Sequence, residues 1–441
     1  MPHGIGNAYL FAVFNALSFQ IILSSPMVLY AKTLGATATV LGIIAGMMPL
    51  LVIFQIPAAA YIPRLGFRRF VLSGWTTRVV FIFFIALVPL TRGFLNESTR
   101  LVLLLSLLFF FNLSRGISSC AWLPWISSLI PAEIRGRYLA RDAAWVNLAS
   151  GVSFLLGALC LRGEARPWQF AALFGFSAMM GAVSLTFLKR IPDVEVPEED
   201  RVRSGPVPWR AIAAFPPFRR MVRMVVAWSI AYGGITAFSV AYLKAETNLS
   251  EATILVVSSF SFVGGLCSLW VLGSRLDNLG SKPVLVFSFI VWVLIVAGWS
   301  LTAGRVFPPT IGLILTLQFV MGLFAAMVQM SNTRLAMEVV PQMGRNHFFA
   351  LFSVLSNVTL GLAPIFWGLF IDAIGQRQGT WLGVEWNRYS LFFAATAIAF
   401  VGALVMAKKV EEPRARPLEV LLRELLIDSP QRAWIRIWPR G

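Results

Sequence analysis

The sequence predicts an all-α polytopic membrane protein, with twelve transmembrane helices in two pseudo-symmetric six-helix bundles. Three observations predict it. Hydrophobic residues make up 58% of the 441 positions and charged residues 13%, with a mean hydropathy of +0.76. A soluble globular chain is about 45–50% apolar and about 25% charged, so lipid is the solvent for this one. Twelve stretches are long enough to cross a bilayer, and the second six echo the first six.

A spanning helix needs about 20 mostly apolar residues. The stretches are 8–31, 38–62, 70–91, 101–129, 143–162, 167–188, 222–244, 250–274, 283–303, 309–337, 348–372 and 388–407. They must be helices, because every backbone polar group in hydrocarbon has to bond internally. The longest interruption, "KRIPDVEVPEEDRVRSGPVP", is charged and proline-rich. It separates a bundle at 1–190 from one at 222–410, leaving a cytoplasmic loop at 191–221 and a cytoplasmic amphipathic tail at 411–441.

The net charge of +17 follows topology rather than nucleic acid. Most of the 37 Lys and Arg fall in loops 2–3, 4–5, 6–7, 8–9 and 10–11 and in the tail, all on one face. The positive-inside rule then places both termini in the cytoplasm of an integral membrane protein, expected in a bacterial inner membrane. The first apolar segment lacks a clear small-residue cleavage site and reads as a retained span. "VPWRAIAAFPPFRRMVRM" (207–224) and "PLEVLLRELLIDSPQRAWIRIWPR" (417–440) interleave aromatics or leucines with arginines and read as segments lying on an anionic leaflet.

The echo between halves is local and in register. "YAKTLGATAT" (30–39) matches "YLKAETNLSEAT" (242–253), "LIPAEIRGRYLA" (129–140) matches "VVPQMGRNHFFA" (339–350), and "PRLGFRR" (63–69) matches "DNLGSKP" (277–283). Parallel repeats of this kind place a substrate site between the halves near the bilayer midplane.

With these motifs on the page, the chain is similar to transporters of the major facilitator superfamily over nearly its whole length. "GSRLDNLGSKP" keeps Gly273, Asp277, Gly280 and Lys282 of the family's loop signature. "AAYIPRLGFRR" keeps Arg64, Gly66, Arg68 and Arg69 but has Ala59 for the glycine and Pro63 for the aspartate. "PAEIRGRYLARD" is similar to the family's loop 4–5 pattern. The resemblance implies that loop 8–9 latches one cytoplasmic gate, with Asp277 bracing the start of span 5 near Arg135, Arg137 and Arg141. The loop glycines permit tight turns, and Asp277 is suited to receive bonds from a helix N-terminus. The first-half latch, lacking the aspartate, is expected to be weaker or to rely on Arg64 and Arg68 with Glu338. The resemblance also implies that spans 1, 4, 7 and 10 line the cavity while spans 3, 6, 9 and 12 lie outside.

Two arginines lie well inside spans, away from their ends. Arg115 is midway along span 4, and a charge at the centre of a bilayer costs at least about 2.5–3.5 kcal/mol. At 1.5 Å of rise per residue it is roughly 20 Å from either end of its span, so it is expected to face the interior or a watery cavity. Its setting, "NLSRGISS", loosely resembles the span-4 pattern of proton-linked antiporters, with Ser118 and Ser119 in place of Gln and Gly. Arg78 is nearer the start of span 3, where snorkelling or packing is expected. No Asp or Glu occupies the middle of spans 1, 4, 7 or 10. A cavity with a buried guanidinium and no acid favours an anion, which guanidinium binds bidentately. The arginines that organophosphate antiporters carry in spans 1 and 7 have no counterpart here.

The substrate-binding expectation is therefore Arg115 with Asn112, together with Asn15, Gln20, Asn147, Trp228, Tyr232, Gln318, Gln329 and Asn357; Asn332 is a further polar residue of span 10. For each amide, interhelical hydrogen bonding is an equally good reading. Three cysteines and two histidines without ligand spacing imply no disulfide framework and no metal, and no nucleotide loop or nucleophile–base pair implies an enzyme. The functional expectation is a monomeric, cofactor-free secondary transporter that moves a small polar, anionic organic solute by rocking-bundle alternating access. Proton-linked efflux of sugars or drugs stays open, as does a non-transporting sensor or lipid transporter on the same scaffold.

Overall fold

A computed structural model describes residues 5–59, 61–130, 132–163, 165–194, 215–272, 280–339, 345–412 and 419. Among the described residues twelve helices are long and apolar enough to cross a membrane. Spans 1–6 are Gly6–Thr33, Ala38–Ala59, Phe67–Gly93, Glu97–Ile126, Arg141–Cys160 and Pro167–Leu188. Spans 7–12 are Pro216–Glu246, Glu251–Leu269, Ser281–Ala303, Ile311–Ala336, Leu351–Ile374 and Arg388–Lys408. The described residues are all-helical apart from one short hairpin.

Span 7 begins earlier than hydropathy placed it. Pro216 and Pro217 occupy its first turn, where the missing N–H costs nothing and the fixed φ suits a helix. Phe218, Met221 and Met224 are buried. Residues 216–224 are thus the opening turns of a span and not a separate surface helix, and 207–214 lie outside the described residues.

The repeat is visible in the backbone. Gly66 (φ 76, ψ 157) and Gly280 (φ 88, ψ 163) stand before spans 3 and 9 in the same extended, positive-φ conformation. Only glycine adopts it without strain. Span 1 breaks at Ser24, between helices Ile5–Leu23 and Ser25–Thr33. Span 7 breaks at the corresponding place, at Gly233 and Gly234, with Gly234 left-handed at φ 86.

The face where span 1 starts is here called near and the opposite one far. Spans 1, 3, 4 and 6 pack together, as do spans 7, 9, 10 and 12. The two groups meet along spans 2 and 11 and along spans 5 and 8. On the far face the loop between spans 11 and 12 forms an antiparallel hairpin, Gly379–Trp381 with Val384–Trp386. Its two-residue turn, Leu382 and Gly383, has positive φ at both positions (53 and 74), as the strand twist requires. Arg305 holds it through Glu385 at 3.2 Å. The hairpin was not anticipated, because six residues carry too short an alternation to register.

Candidate transport cavity

The far face is closed by a seam of small residues. Gly42 and Gly46 of span 2 lie directly against the backbone of Pro364 and Gly361 in span 11, and Gly368 lies against Ala38; a methyl group at any of these three glycines would run into a carbonyl oxygen. Small residues are what allow two helices to approach this closely in lipid. Above the seam, Asp372 crosses from span 11 to the first turn of span 2. Its carboxylate accepts from Ala38 N (3.0 Å), Thr39 N (2.7 Å) and Thr39 Oγ1 (2.6 Å). It thereby satisfies two of the free N–H groups of that helix end and complements the helix dipole.

Below the seam, between the two groups of helices, is a cavity of about 510 Å³. That is an ordinary size for a small-molecule site. It runs from Ser25 and Thr236, at the breaks in spans 1 and 7, to Thr333 and Phe352 near the near-face ends of spans 10 and 11. Gln329 and Thr333, in the part nearest that face, are exposed, so the cavity reaches toward solvent on the near side.

Its wall is aromatic on one side. Trp228 and Tyr232 stack with centroids 4.9 Å apart, and Trp292 stands edge-on to both at 5.6 and 5.4 Å. Phe289 and Phe400 back these rings. Elsewhere amides and hydroxyls, from Gln20, Asn147, Gln318, Gln329 and Asn332 and from serines of spans 1, 7, 8 and 11, alternate with apolar residues such as Phe154, Phe262, Met321 and Leu360. No Asp, Glu, Lys, Arg or His lines it among the described residues. Ser25 Oγ, Ser258 Oγ, Trp292 Nε1 and Asn332 Oδ1, all belonging to residues of this wall, are buried with no hydrogen-bond partner in the protein. A buried polar atom without a partner is costly, and such atoms cluster where a ligand or water completes the bonding.

Of the residues expected from sequence, Gln20, Asn147, Trp228, Tyr232, Gln318 and Gln329 line this cavity together. Four do not. Asn357 donates to Ser353 O (2.8 Å) within span 11, and Asn112 donates to Leu108 O (2.9 Å) within span 4. Asn15 accepts from Trp75 Nε1 at 3.3 Å. Arg115 is half-buried in the first group of helices and absent from the cavity wall. Among the described residues span 4 supplies no lining residue, whereas spans 5, 8, 9 and 11 do. The expected division into lining and outer spans is corrected accordingly. Trp292 of span 9, Ser25 and Ser258 were not singled out from sequence. The run "SSFSF" in span 8 was the available signal, since three hydroxyls within four residues are unusual in so apolar a segment.

Arg78 does not snorkel. It is 3% exposed, with its guanidinium carbon 4.6 Å from the Trp75 ring centroid and 5.5 Å from that of Phe111. The aromatics of spans 3 and 4 enclose it more cheaply than a stretch to the interface would.

On the near face, Arg64 is exposed and Arg68 donates to Lys189 O at the end of span 6. Gly66 and Gly280 make the turns described above. Lys282 N and Ser281 N donate to Glu412 at 2.6 and 2.9 Å, and Glu412 pairs with Arg334 at 2.7 Å. The chain after span 12 is thereby tied to the first turn of span 9. Gly273, Asp277 and the side chains of Arg135, Arg137 and Glu338 lie outside the described residues.

Comparison with known proteins bears on the same architecture. The model of the Major Facilitator Superfamily matches residues 8–268 and 229–438. Among solved structures, the chain is similar to a mutant form of the nucleoside transporter NupG, with a TM-score of 0.68 and 14% identity over 93% of this chain and 100% of that one. It is similar to the inward open xylose transporter XylE from E. coli, with a TM-score of 0.68 and 14% identity over 94% and 97% of the two chains. A D-xylose-proton symporter superposes with a TM-score of 0.69 at 14% identity, over 92% and 98%. A comparison with curated proteins finds no match. The twelve spans, the repeated loop glycines and the family match along the chain agree, and the protein belongs to the Major Facilitator Superfamily of membrane transporters.

Proposed function

We propose that the protein is a secondary transporter of a neutral polar solute with a hydroxylated or heteroaromatic face, the class to which sugars and nucleosides belong. The observation that carries this reading is the uncharged cavity wall, which holds amide and hydroxyl side chains alongside the stacked Trp228–Tyr232 pair. Amides and hydroxyls offer donors and acceptors to a polyol or a base, and an aromatic face covers its apolar side. The structural neighbours named for nucleosides and xylose are in keeping with it. The anionic-solute expectation rested on Arg115 lining the chamber, and with Arg115 off the wall the neutral reading takes precedence.

Transport proceeds by rocking the bundle of residues 1–190 against that of 222–410, and one chain carries the whole cavity. The positive-inside distribution makes the near face cytoplasmic. The closed span 2–span 11 seam and the near-face reach of the cavity then correspond to a state open inward. The test is thermal stability of the detergent-purified protein against matched pairs: D-glucose and D-gluconate, D-xylose and D-xylonate, uridine and uridine monophosphate. A saturable rise in Tm with neutral members of the panel is expected. A rise with the charged members alone would overturn the reading.

A further inference from the structure

Arg78 and Arg115 lie in the first half of the chain, away from the cavity wall. Among the described residues neither has a hydrogen bond or an ion pair, and Arg78 Nε is buried without a partner. The two are neighbours. Phe111, whose ring lies 5.5 Å from the Arg78 guanidinium, is one helical turn from Arg115 on span 4, roughly 6 Å along the axis. Arg78 feels the charge of Arg115, and no carboxylate offsets it. Two like charges in a low-dielectric interior repel strongly. The ring faces of Trp75 and Phe111 offset the desolvation of Arg78 in part, but they contribute no negative charge. Trp75 is tied through its Nε1 to Asn15 Oδ1 at 3.3 Å, leaving the Asn15 amide nitrogen as a third donor. Arg78 is 3% exposed while Arg115 is half-buried, so Arg115 is the more accessible of the two.

We propose that Arg78 and Arg115, with Asn15 beside them, bind a small monovalent anion inside the first bundle, at a site separate from the solute cavity. Guanidinium pairs hold a carboxylate or another planar oxyanion by two parallel bonds, and also accept halide as a point charge. The bound anion supplies the counter-charge that the chain omits. This inference stands independently of the neutral-solute reading.

The experiment uses the full chain purified in detergent, without any sugar or nucleoside. Sodium chloride, sodium nitrate and sodium acetate are titrated separately, and both Tm and tryptophan emission are followed, since Trp75 lies on Arg78. A saturable rise of several degrees with at least one anion, with a saturable change in emission, is expected in the wild type. Response to acetate over chloride identifies a carboxylate ligand, and the reverse a halide; both support the site. Arg78→Gln and Arg115→Gln should each raise the midpoint at least tenfold, and Arg115→Lys should restore part of the response. Gln318→Ala, on the cavity wall, should leave it unchanged. If Arg78→Gln does not fold, the Arg115→Gln and Arg115→Lys pair decides. The absence of any saturable response in the wild type, a response that persists in the Arg115→Gln variant, or one lost in Gln318→Ala would each overturn the proposal. None of these results would bear on whether neutral solutes bind the cavity.

Discussion

The two halves of the chain share a backbone plan and divide the chemistry unequally. Gly66 and Gly280 repeat the same turn, and spans 1 and 7 break at matching places. Yet among the described residues the first half gives the cavity only Gln20, Ser24, Ser25, Asn147 and Phe154, while the aromatic face and most amides come from the second. The buried cations show the opposite bias, since Arg78 and Arg115 both lie in the first half. The difference separates two meanings of a charge in a membrane span. A guanidinium within a span has to be shielded from lipid, but for Arg78 the shield is the bundle's own aromatics and not the transport path. On the proposed reading, solute would rest chiefly on the second half.

The most severe way to break this picture is at the seam that the halves share. Gly42→Leu or Gly361→Leu forces a side chain into backbone, and overpacking costs typically about 1–3 kcal/mol even where neighbours can shift. Counterflow of the identified solute in proteoliposomes should fall below about a tenth of wild type, given the near-tenfold effect of each 1.4 kcal/mol. In a background lacking the native cysteines, Ser25→Cys should become reactive to an impermeant maleimide from the far face. Unchanged transport would show that the seam does not have to close.

The unequal lining predicts a graded loss of affinity. Asn332→Ala and Gln318→Ala should each raise the solute Kd about tenfold, the scale of one hydrogen bond lost from a buried partner. Gln20→Ala should raise it about threefold, consistent with a weaker, water-shared bond. A larger effect at Gln20 than at Asn332 would reverse the assignment of roles to the halves. Smaller again is Asp372→Asn. It keeps the hydrogen-bonding shape but removes a charge from the span 2 N-terminus, worth about 0.3–1 kcal/mol. Far-face labelling of Ser25→Cys should speed up about two- to fivefold.

The smallest effect compares the near-face braces. After span 12, Glu412 caps span 9 and meets Arg334; after span 6, uncharged carbonyls do the holding, Lys189 O receiving Arg68 and Pro192 O receiving Trp125 Nε1. Glu412→Gln should lower Tm by a few degrees, as about 1 kcal/mol does in a chain of a few hundred residues, and Arg68→Gln by less. Solute affinity should be unchanged in both. Equal losses would mean that the charged brace adds nothing over the carbonyl contact.

Hydropathy and the loop motifs located the spans and their repeat because both depend on composition along the chain. What they do not carry is rotation about a helix axis. Asn357 and Gln329 are equally polar residues in neighbouring spans, but Asn357 turns to Ser353 and Gln329 to the cavity. Arg115 illustrates the same limit, since a place along the chain leaves open its direction, which depends on the packing of spans 2, 3 and 4. Gly116 lies against Leu51 of span 2 and Gly74 against Ser118, contacts that fix the rotation of span 4. Trp292 went unnoticed for a related reason: an aromatic in an apolar span looks like core, and only its packing against Trp228 and Tyr232 brings it to the cavity wall.

The central claim is that an uncharged wall, built mainly by the second half, selects neutral solutes. Its most direct test is counterflow in sealed proteoliposomes, with uridine and D-xylose compared against uridine monophosphate and D-xylonate. Saturable uptake of at least one neutral member, abolished or weakened about tenfold by Asn332→Ala and unaffected by its charged counterpart, is the expected result. Uptake of the charged members alone, lost in Arg115→Gln and retained in Asn332→Ala, would contradict it.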